Sequence, residues 1–91
     1  MDDIGYRRYL EGEGLTEKAI NSRITRANRV EREFKVNLEH VIQNEETMLD
    51  LRSKIYETYG NSGSLPGNLY NAVTKYFYFR NDRPMPRINS R

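Results

Sequence analysis

An all-α fold, a single small domain of four principal helices with an extended C-terminal tail, is predicted by three observations. Apolar residues recur three or four positions apart in several stretches, the signature of helices that bury one face. Asp, Thr and Asn residues stand where those stretches begin, as helix N-termini require. No segment shows convincing strand alternation or internal repetition. Ninety-one residues suffice for one core and no more. Residues 1–80 are assigned to the helical domain and 81–91 to a flexible basic tail.

Asp2 or Asp3 caps a first helix running to about Glu11. Its apolar side is Ile4 or Tyr6 with Tyr9 and Leu10, and Arg7 and Arg8 face outward. Gly12 and Gly14 bracket a break, where the missing Cβ removes the penalty of a left-handed turn. Leu15 sits just before the Thr16 cap, placed to pack back as a hydrophobic staple.

The second helix, capped by Thr16 and ending near Phe34, organises the chain. Ile20, Ile24, Ala27, Val30 and Phe34 form one buried stripe. Glu17 at its start and Arg32 and Lys35 at its end suit the helix dipole. An advance of about 100° per residue puts Lys18, Ser22, Thr25 and Arg29 near the middle of the opposite face. Arg26 and Arg32 flank that row, and Glu33 is the only acid close to it. Such a face suits a DNA major groove. The other reading is a solvated helix back.

From Val36 the pattern shortens. Asn37 caps a brief turn, LEHVIQ, that buries Leu38, Val41 and Ile42; His40 reads as an ordinary exposed or half-buried side chain. Asn44, followed by Glu45 and Glu46, starts a third helix to about Tyr59, burying Met48, Leu51 (or Leu49), Ile55 and Tyr59. GNSGSLPG, residues 60 to 67, is the clearest break. The last helix begins between Pro66 and Asn68. Leu69, Val73, Tyr76 and Phe77, helped by Ala72 and Phe79, make its apolar face; Asn71, Thr74, Lys75 and Tyr78 lie opposite. Beyond Arg80 two prolines and no period leave nothing to offset ordering entropy, so residues 82–91 are expected to be disordered. The expected core of the monomer includes Tyr9, Leu10, Ile20, Ile24, Ala27, Phe34, Leu51, Ile55, Val73 and Phe77.

Composition narrows the function. There is no Cys and one His, so thiolate ligation is excluded and a histidine-based metal site or nucleophile relay is not expected. The Asp2/Asp3 and Glu45/Glu46 pairs are explained by capping. GNSGSLPG lacks the Lys and the strand-to-helix setting of a phosphate loop. No cofactor, no metal and no catalysis are expected. No apolar run approaches the ~20 residues of a membrane helix, and MDDIGYRRYL lacks the order of a secretory signal, so the expected compartment is the cytoplasm. Net charge is only +2, but residues 80–91 hold four Arg against one Asp. Positive charge is thus concentrated in the second helix and the tail.

The order YRRYL, GLTEKAINSRITRANRVEREF, VNLEHVI…DLRSKI, LYNAVTKYFYFRNDRP resembles the core-binding domain of tyrosine recombinases (phage integrases), over about residues 4 to 84. Such domains commonly open with an aromatic-and-Leu helix, a Gly-containing turn and a capping Ser or Thr. A long helix ending in an aromatic follows, and the last helix is rich in aromatics. The resemblance implies a SAM-like four-helix domain that lies across duplex DNA as half of a clamp, its second and last helices toward groove and backbone. On that basis Lys18, Ser22, Thr25, Arg26, Arg29 and Arg32, with Asn71, Lys75 and Tyr78, are expected to form one continuous DNA-binding surface. The family's Arg, Lys, His and nucleophilic Tyr belong to a separate catalytic domain, so none of the seven Tyr here is assigned as nucleophile. A parent catalytic domain is one implied partner. The alternative class is a helical protein-interaction module or mobile-element regulator, anchored by exposed Tyr70, Tyr78 and Phe79. Salt dependence separates the two, because phosphate contacts weaken steeply with salt.

Overall fold

The computed structural model describes residues 1–61 and 63–86. In chain order the helices are α1 (Asp3–Gly12), α2 (Glu17–Phe34), α3 (Leu38–Val41), α4 (Glu45–Tyr59) and α5 (Leu65–Asn81). The described residues contain no strand. The all-α expectation is met, with the LEHV turn counted as a short fifth helix beside the four principal ones.

Each N-terminus follows from one short polar side chain. Asp2 Oδ1 accepts from the Gly5 N–H, Thr16 Oγ1 from Ala19, and Asn44 Oδ1 from Thr47, at 2.9, 3.1 and 2.9 Å. Asn37 Oδ1 does the same for Glu39 at 2.9 Å. These bonds satisfy donors that have no partner inside the helix. The exception is α5, which begins at Leu65 with Pro66 in its first turn and no side-chain cap. Pro suits that position because its missing N–H is not needed there. Gly14 turns the chain from α1 to α2 at a φ of +81°.

The core is assembled around α5, which packs against α1, α2 and α4. Ile20, Ile24, Ala27 and Val30 of α2 are buried and meet Leu69, Ala72, Val73, Tyr76 and Phe77 of α5 in one cluster. Tyr6 is the deepest aromatic contributed by α1. Its hydroxyl donates to the Ala72 carbonyl oxygen at 2.6 Å, and its ring meets Tyr76 edge-on at 5.0 Å. Burial pushes the Tyr6 phenol well above its ordinary titration range. The Tyr76 hydroxyl accepts from the Asp2 N–H at 2.8 Å and donates to the Glu39 carboxylate. This single hydroxyl ties the N-terminus and α3 to α5. Asn81 closes the other end by donating to the Ile42 carbonyl oxygen at 3.0 Å.

Open alternatives from the sequence are settled, and some expectations are corrected. Ile4 is 70% exposed and Tyr6 takes the buried position of α1, because Tyr6 shares a face with Leu10 and Ile4 does not. Tyr9, Phe34 and Tyr59 are half-buried against the core rather than inside it. Tyr9 packs on Phe79 at 5.4 Å and Phe34 on Tyr59 at 6.5 Å, so these rings line the seams where helices end. Leu51 is buried and Leu49 exposed, which settles that alternative. Asp82 ends α5 in the left-handed region. Arg83 beyond it pairs with Glu45 at 3.1 Å and lies over the Phe77 ring. Met85 packs against the core, so the chain through Pro86 stays in contact with the domain. The expectation of disorder at residues 87–91 lies outside the described residues.

Candidate functional site

α2 carries its buried stripe toward α1 and α5, which leaves the opposite side as an open surface. There Lys18, Ser22, Thr25, Arg26 and Arg29 line a shallow hollow, joined by Glu17, Asn21 and, from the start of α5, Leu65. The row expected from helical spacing is therefore on the surface together. Arg32 is exposed one turn further along the same helix and does not line the hollow. Asn71, Lys75 and Tyr78 line a second hollow on the outer side of α5, with Tyr70, Thr74 and the Pro84–Pro86 segment.

The two hollows share no lining residue. Arg23 of α2, which lines neither hollow and which helical spacing did not single out, reaches toward the second. Its Nη1 donates to the Asn71 carbonyl oxygen at 3.5 Å, so its guanidinium sits over the seam between α2 and α5. Arg23 is 100° from Ser22 and beside the buried stripe. That boundary position was the available signal, since a long stem can cross apolar surface and carry its charge to the rim.

The cations of this surface are not equivalent. Arg29 is held by Glu33 at 2.9 Å and by the Tyr59 hydroxyl at 3.2 Å. Tyr59 in turn donates to the other oxygen of Glu33, which closes a triangle. Hydrogen bonds from Tyr59 and then Arg29 hold the Glu33 carboxyl below its ordinary range, and Glu33 holds the Arg29 guanidinium above its own. Lys75 pairs with Glu13 at 3.3 Å. Among the described residues Lys18, Arg23, Arg26 and Arg32 form no ion pair. Arg7, Arg8, Lys35, Arg52 and Lys54 form none either, so what distinguishes α2 is that four such cations share its outer face and seam.

The aromatic surface needed for the alternative reading is mostly internal. Tyr70 is 9% exposed and belongs to the core, with Arg52 stacked over its ring. Phe79 packs between Tyr6, Tyr9 and Tyr76. Only Tyr78 of the three is exposed. The described residues contain no cluster of three His, Asp or Glu side chains fit to hold a metal ion, and no described helix is long and apolar enough to cross a membrane. Comparison of the chain with protein-family models, with curated proteins and with solved structures finds no match.

Proposed function

We propose that this chain is a non-catalytic, cytoplasmic DNA-binding module, of the kind its resemblance to recombinase core-binding domains implies. It takes duplex DNA against the outer face of α2 and the adjoining face of α5. The observation that carries this reading is the grouping on one helix of Lys18, Arg23, Arg26 and Arg32, cations without a carboxylate partner among the described residues. They surround Asn21, Ser22 and Thr25, short side chains that hydrogen-bond phosphate oxygens or base edges. Asn71 and Tyr78 adjoin this set across the Arg23 seam and contribute polar contacts with little charge, since Lys75 is already paired.

The test is a titration of a fluorescent duplex at roughly 50 and 200 mM salt. Four phosphate contacts make affinity fall on the order of a hundredfold across that range. A complex held by aromatic and apolar contacts changes little. A flat salt response would replace this reading with the protein-interaction one.

A further inference from the structure

Glu13 and Glu33 occupy unusual positions for acidic residues on a surface that receives phosphate. Each lies within ion-pair distance of one cation of the two hollows, Lys75 at 3.3 Å and Arg29 at 2.9 Å. The other described ion pairs of Arg side chains, Arg80 with Asp2 and Glu39 and Arg83 with Glu45, involve residues that line neither hollow. A carboxylate oxygen and a phosphate oxygen compete for the same N–H donors.

We propose that Glu13 and Glu33 are built-in competitors of the DNA phosphates, holding Lys75 and Arg29 in reserve and thereby setting the affinity of the surface. The inference rests on the DNA-binding reading and adds its regulation. Neither pair is needed to build the core, since all four side chains remain partly exposed and exposed pairs add little to folding. Phosphate must displace the carboxylate before it reaches Arg29 or Lys75, and the displaced acid then repels the approaching backbone. The wild-type chain accordingly binds with the cations of α2 and its seam, and its contact with α5 stays electrostatically weak. Tyr59 strengthens the Glu33 arm by holding the second carboxylate oxygen.

Glu13→Gln and Glu33→Gln keep side-chain size and one acceptor oxygen, so the local geometry retains its partners. Asp50→Asn, on α4 and lining neither hollow, makes the same change in net charge. Binding is measured by the duplex titration, with thermal melts of every variant. Each Glu→Gln variant is expected to bind roughly three- to tenfold tighter at 50 mM salt and to steepen the log K against log salt slope by about one unit. Asp50→Asn should change affinity less than about twofold, because salt screens charges beyond about a Debye length. Adding Arg29→Ala to Glu33→Gln should abolish that variant's gain. Steep salt dependence in the wild type with no extra gain from Glu→Gln over Asp50→Asn overturns this inference alone. Absence of binding by the wild type and both variants overturns it together with the DNA reading.

Discussion

Replacing Lys18, Arg26 and Arg32 together by Ala is expected to cost roughly a hundredfold or more in duplex affinity at about 50 mM salt, with the salt slope flattened by nearly three units. These residues carry charge on the outer face of α2 without an internal carboxylate. Each therefore has its donors available for phosphate. The substitution also removes none of the buried stripe, because Ile20, Ile24, Ala27 and Val30 lie on the other side. Ala is a strong helix former, so the variant should melt close to the wild type. Arg29→Ala alone is expected to do much less, because its guanidinium is already engaged by Glu33 and Tyr59. Equal binding by the wild type and the triple variant would remove α2 from the interface.

Phe77→Ala is expected to destabilise the domain by about 3–5 kcal/mol. The ring is fully buried, on the helix that every other long helix packs against. Its loss opens a cavity that the surrounding helices fill only in part. A domain of this size holds roughly 5–15 kcal/mol of stability, so a large fraction is removed. The melting temperature should fall by more than about 10 °C. Ile24→Ala, at a position 9% exposed, should cost less because one side of the side chain already reaches the surface. A Phe77→Ala loss below about 1 kcal/mol would mean that α5 is not the centre of the core.

Much of this architecture was legible because it is written in local chemistry. The caps at Thr16, Asn37 and Asn44 form their expected hydrogen bonds, and such bonds depend only on residues two or three positions apart. The α2 stripe was equally plain, since Ile20, Ile24, Ala27 and Val30 repeat with the helical period. The aromatic residues were harder. Tyr6 shares Leu10's face and Ile4 does not, but the partner that lets a hydroxyl be buried there, the Ala72 carbonyl oxygen, is sixty-six positions away. Tyr70 looks surface-bound from its neighbours, yet Arg52 of α4 lies over its ring. Long-range partners of this kind have no sequence period.

The same distinction applies to the candidate site. Helical spacing placed Lys18, Ser22, Thr25, Arg26 and Arg29 on one face, and they line one hollow. Spacing also marked Glu33 as the only acid nearby, whereas Glu17 lines the hollow as well, and the Glu33 bond to Arg29 becomes a three-way contact only when α4 delivers Tyr59. Glu13 reaches Lys75 across sixty-two positions, through the turn between α1 and α2. Arg23 escaped notice because it belongs to neither the buried stripe nor the outward row. The charge pattern was visible in the sequence, and its neutralisation was not.

The most direct test of the central claim maps the interface residue by residue. Backbone amide shifts of the isotopically labelled protein are followed by NMR as an unlabelled duplex is added at low salt. The proposed surface predicts that the largest shifts fall between Lys18 and Arg32 and around Asn71 to Tyr78, with α3 and the first turns of α4 nearly unchanged. Shifts centred instead on Ile4, Leu49 and their neighbours, or no shifts at all, would contradict it.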